Sequence, residues 1–570
     1  MIEQQISEPG SKTVPSFFRL PISAYTLAAL GLIASGIGIR IALLAQGWPH
    51  TNSDEGTYGM MAIHIALQGE HPVFMYGQNY MGTIQAYIAA GVFRLFGISM
   101  FNLRIGLVFL FAFFLYAMYL LASLLYSRGV ALFSLLLLCL GSSYVLYRQV
   151  QAVGGWTETL FFGAFLYFIA CWLALPVKRR GSLRLAGYFG WGLLVGLCLW
   201  SDVVVGPFIL IAGLLLLQFC RRELFTIRVL ALLLTGIVLG ALPMILYNIH
   251  APLQNNSLLT ALGIFGGGTA HGSLSNQLVH GPLGVLLIGL PSVIGNSNAC
   301  SDVSQVLFLG DHGASALSCT LEQGTWSLVW IALWIASAYL CLRGIRALPR
   351  KSETRTPEQR YALVRFYGQL GLLIAAAISL CLFALSSASV TSPFLSSRYI
   401  VYVWITTPAL VYPLWQGANT ARTSTGGIAR CILTNFNRLA LLAIALLFLL
   451  GTVKTFQEIP AAQSTNAQQA DFIQNLARIG IYHLYADYWT CERVMFQSAG
   501  RITCYTVNES LAQGYERYLP NKAIVTADAG ASWAFPTNLP QAKAIAQRVT
   551  LSGKPYHQYE FDGYVVYQPG

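Results

Sequence analysis

The sequence predicts an α-helical polytopic membrane protein of about eleven transmembrane helices, carrying outer-face interfacial helices in its first external loop and a small extracytoplasmic α/β domain at its carboxyl end. Three observations predict it. Of the 570 residues 55% are hydrophobic and 10% charged, and mean hydropathy is +0.58, too little polar surface to cover a soluble globule. Apolar runs of membrane-spanning length recur as far as Phe456. After Gln457 the chain becomes more polar and alternates short helical and strand patterns.

The opening stretch "MIEQQISEPGSKTVPSFFRL" has Lys12 and Arg19 as its basic residues and no small-residue cleavage site, so it reads as a retained cytoplasmic tail. Predicted spans follow at Tyr25–Ala45, Asn102–Tyr126, Ala131–Tyr147, Thr159–Leu175, Ala186–Trp200, Val203–Phe219, Val229–Ile249, Trp326–Leu342, Phe366–Leu385, Tyr399–Trp415 and Leu439–Phe456. With the amino terminus inside, "VKRRGSLR", "RRELFTIR", "RGIRALPRKSETRTPEQRYALVR" and "ARTSTGGIARCILTNFNR" all face the cytoplasm. That collects roughly twenty of the 34 Lys and Arg residues on one side, as the positive-inside bias requires. The same distribution explains the +12 net charge as a topology signal and excludes a nucleic-acid partner. An odd number of spans leaves the carboxyl end outside.

The segment Tyr80–Gly97 is apolar enough to resemble a short span. Letting it cross would turn the later basic clusters outward, so it is predicted as an amphipathic helix lying in the outer interface. Two long external segments interrupt the transmembrane module of residues 1–456: Gln46–Phe101 and His250–Thr325. Cysteine placement agrees: seven of 11 Cys fall in or near the spans, and Cys300, Cys319, Cys491 and Cys504 fall outside, an even number. Loops this short favour the pairs Cys300–Cys319 and Cys491–Cys504.

In residues 457–570, "STNAQQADFIQNLARIG" predicts a helix closed by Gly480 and "TCERVMFQSAG" a short helix. "YHLYADYW", "RITCYTV", "KAIVTAD" and "YVVYQP" predict strands.

Chemistry concentrates in the first external loop, "TNSDEGTYGMMAIHIALQGEHPVFMYGQNYMG". Ser53 suits a helix cap, with Tyr58, Met61, Ala62 and Ile65 sharing the apolar face behind it. Asp54 and Glu55 then fall in a first helical turn, where their charge would suit the helix dipole with no further role. Other polar groups lie at the same outer level: Arg40 near the end of the first span, Arg148 and Glu158 in "YRQVQAVGGWTE", Asp202 in "WSD", and Arg398 and Tyr399 in "SPFLSSRY". Charges at helix ends in lipid face a cavity or a partner. Each also has an ordinary reading, since Arg40 and Arg148 could snorkel and Asp202 and Glu158 could serve helix starts.

This arrangement resembles the C-type glycosyltransferase superfamily, and within it the bacterial relatives of the protein O-mannosyltransferases and the aminoarabinose transferases. The resemblance rests on the Asp-Glu pair after the first span in "DEGTYGMMAIHIALQGEHPVFMYGQNYMG", and on "SSRYIVYVWITTPALVYPLW" and "YADYWTCERVMFQSAGRITC". It implies transfer of a sugar, a hexose or pentose, from a polyprenyl phosphate to an acceptor on the outer face, the acceptor being a protein, lipid or glycan. It implies that Asp54, with Glu55 beside it, is the catalytic base or acceptor-positioning carboxylate; Glu55 and Glu158 are expected to position acceptor or cation, and Arg398, Arg148 and Arg40, as cations beside a departing phosphate, to bind the donor. Tyr76, Gln78, Asp202 and Tyr399 are the expected substrate-positioning residues. The chain departs from some relatives in having Gln85 where they place a carboxylate, which weakens the case for a divalent-cation cofactor. His64, His71, His271, His280 and His312 show no ligand spacing.

Physical chemistry points to the same donor class. Nucleotide sugars are not available outside the cell, a lipid-linked sugar arrives by lateral diffusion, and no Gly-rich nucleotide loop follows a strand. The rival readings are a lipid-linked glycan flippase or transporter, which would have paired halves and interrupted helices, and a polymerase or ligase of lipid-linked glycans.

Overall fold

The computed structural model describes residues 23–176, 181–265, 274–295, 300–310, 313–349, 355–419 and 428–570. The predicted cytoplasmic tail, parts of three basic clusters, His271 and His312 lie outside the described residues.

The membrane module begins with α1 (Ala24–Ala45), and the first loop then holds α2 (Ser53–Ile63), β1 (Phe74–Met75), β2 (Gln78–Gly82) and α3 (Ile84–Phe96). Asn52, rather than Ser53, caps α2, its side chain accepting from the Glu55 N–H at 2.9 Å. The predicted apolar face is buried: Tyr58, Met61 and Ala62 are fully enclosed and Ile65 nearly so. At 13 residues α3 is shorter than a span, and it packs on α2 and on α4 (Met100–Leu125).

Next come α5 (Arg128–Cys139), α6 (Ser143–Val150), α7 (Trp156–Ala174), α8 (Gly181–Ser201), α9 (Gly206–Leu224), α10 (Ile227–Gly240) and α11 (Leu242–His250). Helices α8 and α10 approach through Gly192 and Gly196 on one side and Gly236 and Gly240 on the other. A methyl group at any of the four would overlap a carbonyl oxygen of the facing helix, so this contact depends on absent side chains.

Eight helices among the described residues are long and apolar enough to cross a membrane, and up to ten spans result if two bent pairs each count once. The expectation of about eleven lies above this count. The span predicted at Ala131–Tyr147 is the pair α5 and α6, bent by 89°, and that at Val229–Ile249 is α10 and α11, bent by 65° at Ala241 with Pro243 opening the second helix. The span predicted at Tyr399–Trp415 is instead a 3₁₀ segment, Ser397–Thr406, running into a 13-residue helix. Pro408, in the first turn of that helix, has no N–H to donate back to Trp404, so an α-helix cannot run unbroken through the junction, whereas Pro413 is accommodated inside the helix.

The stretch predicted as a large external loop, 250–325, is also partly helical. It holds α12 (Ser257–Phe265), α13 (Leu274–Gly284) and the start of α14 (Ala314–Ala347), with Cys300 and Cys319 disulfide-bonded as predicted. After α15 (Pro357–Ala384), α16 (Thr407–Asn419) and α17 (Ile428–Gln457), helix α18 (Ile459–Arg478) leads into the carboxyl-terminal unit.

That unit is a five-stranded sheet in the order β4-β3-β5-β7-β6. Strands β3 (His483–Ala486), β4 (Thr503–Thr506) and β5 (Ser532–Pro536) are parallel, and β6 (Tyr556–Phe561) and β7 (Tyr564–Pro569) form an antiparallel hairpin. The helices are α19 (Tyr488–Gln497), α20 (Pro520–Ala527) and α21 (Pro540–Ser552). "KAIVTAD", predicted as a strand, forms α20: Pro520 sits in its first turn and Val525 is buried on its inner side. Cys491 and Cys504 bond α19 to β4.

The unit docks on the first loop through α19 against α2. Side chains at Gly56 and Gly59 would run into the Glu492 carbonyl and the Phe496 ring, so both glycines let the backbones meet. The Ser53 hydroxyl donates to Trp489 O at 2.8 Å and Thr57 to a Glu492 carboxylate oxygen at 3.0 Å.

Candidate active site

Four parts of the chain meet where the first loop, α6, the 3₁₀ segment and the carboxyl-terminal unit come together. Asp54, in the first turn of α2, is partly exposed. Its Oδ1 accepts from the Tyr488 hydroxyl at 2.7 Å and from Arg517 Nη2 at 2.8 Å. Glu55, one residue on, points the opposite way. It is fully buried, clasped by Arg104 of α4 through two bonds of 2.7 and 2.6 Å, and it also accepts from the Ala152 N–H at 3.2 Å. The two acids therefore divide their work: one faces a partly open site and the other ties three elements together.

The expected cations divide similarly. Arg40 is fully enclosed and lies over the Phe111 ring at 4.3 Å. It donates to the carbonyls of Gly36 and Cys139 at 2.8 and 2.7 Å, to Leu138 O at 3.3 Å, and to the Gln149 side chain. The break after α5 frees carbonyls that lipid cannot satisfy, and Arg40 satisfies them. With its guanidinium committed to that break, Arg40 does not join the expected donor-phosphate set.

Arg148 and Arg398 do come together. Their guanidinium carbons lie 5.6 and 5.8 Å from the Trp156 ring, Arg148 donates to Leu395 O at 3.1 Å, and Arg398 to the Tyr399 hydroxyl at 3.3 Å. Each has a buried Nε without a partner, and among the described residues neither forms an ion pair. The two cations thus share the Trp156 ring, each with a buried donor unsatisfied, and Arg398 has the carboxylates of Asp54 and Asp202 within electrostatic reach without bonding to either.

The segments carrying these arginines also wall an apolar cavity of about 120 Å³. Val145 and Gln149 flank Arg148 along α6, Val403 and Trp404 follow Arg398, and Val329, Leu410 and Phe448 complete the hydrophobic lining.

Glu158, fully buried at the start of α7, accepts from Gln85 Nε2 at 2.6 Å and from the Ser201 hydroxyl at 2.9 Å. Gln85, noted in the sequence for lacking a charge, is the partner that satisfies Glu158, and it also donates to Gly154 O. Asp202 caps the turn that follows α8, accepting from the Val204 N–H at 3.0 Å. Tyr76 donates to Glu70 at 2.6 Å and meets His64 Nδ1 at 2.9 Å, and Tyr518 of the carboxyl-terminal unit donates to the other Glu70 oxygen at 2.6 Å. It thus clasps the unit to the loop. Gln78 opens β2, half-buried. On the same strand burial pushes the Tyr80 phenol up, with the phenols of Tyr399 and Tyr515 and the cations Arg398 and Arg517 around it, so β2 passes close to both arginine groups.

Among the described residues no three His, Cys, Asp or Glu side chains converge to hold a metal ion, and the carboxylates nearest the site are engaged by Arg517, Gln85 and a helix start. The described residues of the site therefore do not fit a resident divalent cation.

Sequence reasoning missed Arg517, Tyr488, Arg104 and Trp156. Arg104 and Trp156 lie inside or beside predicted spans, and "YERYL" around Arg517 carries no motif. Only the folded chain brings Arg517 to Asp54, 463 residues away in sequence.

No protein-family model matches the chain, and no curated protein does. Solved structures do. The chain is similar to ArnT from Cupriavidus metallidurans bound to undecaprenyl phosphate, with TM-score 0.58 and 13% identity over 96% of this chain and 98% of that one. The apo state of the same ArnT gives TM-score 0.53 at 12% identity, over 96% and 98%. The Archaeoglobus fulgidus oligosaccharyltransferase tethered with an acceptor peptide gives 0.52 at 12%, over 96% of this chain and 74% of that one. The chain therefore shares its overall fold with these structures, a set of apolar helices long enough to cross a membrane followed by a carboxyl-terminal sheet unit.

Proposed function

We propose that the protein is a glycosyltransferase that moves a monosaccharide from a polyprenyl-phosphate donor to a hydroxyl-bearing acceptor on the outer face of the membrane, with the amino terminus inside and the carboxyl-terminal unit outside. The observation that carries this reading is the pairing of Arg148 and Arg398 beside an apolar cavity walled by their own segments. A phosphate with a long hydrocarbon tail has both needs, a cationic site for its head and a dry groove for its chain. The undecaprenyl phosphate held by the ArnT of similar fold is a ligand of that class.

In the reaction the acceptor oxygen bonds to the anomeric carbon while its proton passes to Asp54. The bond from that carbon to the phosphate oxygen breaks, and its electron pair leaves with the polyprenyl phosphate. Arg148 and Arg398 stabilise the charge that develops there. This is direct displacement, with inversion. Glu158 and Asp202 hold the walls of the site, and Tyr399, bonded to Arg398, and Tyr80, close to both Arg398 and Arg517, line it.

The test is purified protein with a panel of labelled polyprenyl-phosphate monosaccharides, asking whether label leaves the lipid. Asp54→Asn keeps the shape of the side chain and cannot take the proton, so turnover should fall by a factor of about 100 to 10,000 in a folded protein. Near-normal turnover in that variant would remove Asp54 from the chemistry.

A further inference from the structure

The sheet order of the carboxyl-terminal unit reverses at β3: the chain passes from β3 to β4 on one side, then over to β5 on the other. In open sheets with parallel strands such a reversal leaves a crevice outside the carboxyl ends of the strands, and ligands bind there. Here Tyr488 follows the carboxyl end of β3, and Arg517 lies in the connection that leaves β4. What these two residues hold is the side chain of Asp54.

The grip is one-sided. Both donors go to Oδ1, and among the described residues Oδ2 has no hydrogen-bond partner. Arg517 is itself fixed: Nε and Nη2 donate to the Tyr488 hydroxyl at 3.0 and 2.8 Å, Nη1 donates to Tyr76 O at 3.3 Å, and the guanidinium lies 4.9 Å from the Tyr515 ring. The backbone around it is pinned by Glu516, which accepts from the N–H groups of Thr506 and Tyr518 at 3.0 and 3.2 Å. A carboxylate with one oxygen tied to two positioned donors presents its other oxygen in a fixed direction, as oriented bases and metal ligands do.

We infer that Arg517 and Tyr488 are positioning residues of the transfer reaction, through which the carboxyl-terminal unit holds Asp54 Oδ1 and aims Oδ2 at the acceptor hydroxyl. The inference rests on the catalytic reading of Asp54. The soluble unit is then a working part of the active site rather than a cover, and the site is complete only when the unit is docked.

The experiment compares initial rates against donor concentration for wild type, Arg517→Ala, Arg517→Lys and Tyr488→Phe, each also in an Asp54→Asn background. Expected is a loss in kcat of about 10- to 100-fold for Arg517→Ala, with donor KM changed by less than about 2-fold, because the aim of the base acts in the transition state. Arg517→Lys should recover part of the loss, and Tyr488→Phe, which keeps the ring, should lose several-fold. In the Asp54→Asn background all three substitutions should have no further effect, since residues that act through one group are not additive. If each lowers the residual rate there by the same factor, their role is structural and the inference is overturned. Wild-type kcat in Tyr488→Phe and Arg517→Lys would also overturn it, even if Arg517→Ala undocks the unit. If Asp54→Asn alone is fully active, the catalytic reading itself has failed, an outcome separable from the others.

Discussion

Glu55→Gln isolates what the second acid of the pair contributes. Its carboxylate is 0% exposed and its partner Arg104 1%, and their two bonds of 2.7 and 2.6 Å leave no water between them. The amide offers one acceptor oxygen and no charge, so the Arg104 guanidinium stays buried without its counter-ion, and the Ala152 N–H competes for the remaining oxygen. Breaking one side of a buried pair costs about 3 to 5 kcal/mol. The cost falls on the junction of α2, α4 and the turn before α7, and it should appear as a lower unfolding free energy in a denaturant titration in detergent. Turnover of the surviving folded fraction should stay within about 3-fold of wild type. A combined Glu55→Met and Arg104→Met protein, which removes both charges, should recover much of the stability. The reasoning is refuted if Glu55→Gln unfolds like wild type and loses turnover by about 100-fold, because Glu55 would then act on the reaction itself.

Two further outcomes follow from the site. Arg398→Ala should raise the donor KM and lower kcat together, each by about 10-fold, since a phosphate contact serves both binding and departure; label-transfer kinetics checks this, and an unchanged KM would remove Arg398 from the donor site. Burial, aided by the charge of Glu516, pushes the Glu492 carboxyl up to about 8 from its ordinary 4.5, with Thr57, Arg517 and Asp54 also facing it. A raised carboxyl contributes stability fully below pH 4.5 and loses it as pH rises through about 8. Docking of the carboxyl-terminal unit should therefore weaken across that window, read as faster proteolytic release, and Glu492→Gln should flatten the dependence. An identical slope in wild type and variant would place the titrating group elsewhere.

Much of the fold was legible because spans, helix caps and strand alternation are local signals. The first span lies within one residue of its prediction at the start, and the apolar face of α2 was read residue by residue. The paired external cysteines followed from loop length. What failed was continuity. Hydropathy does not register the break between α5 and α6 or the 3₁₀ turn that carries Arg398, because a broken span is as apolar as a straight one. In the site, residue types were readable and pairings were not. Asp54 and Glu55 are adjacent and chemically alike, yet one helical step of 100° sends them to opposite surroundings. Arg40 and Arg148 both sit near span ends, and only the break beside Arg40 explains why one is a backbone clamp while the other lies against Trp156. The interrupted helices expected of a transporter are present, and one of them is stabilised by that clamp.

The distance along the chain between Asp54 and Arg517 has a consequence for biogenesis. During synthesis the first loop is finished while 463 residues separate its carboxylate from the group that will orient it. Every membrane span is made before that group leaves the ribosome. A protein truncated after α17 would retain the apolar helices, the paired arginines and the cavity, yet on the proposed reading of Asp54 be unable to aim its base. Insertion and catalytic competence are thus separate events: the first is decided by hydropathy as the chain emerges, and the second only when the last hundred or so residues have folded and returned to the loop made first.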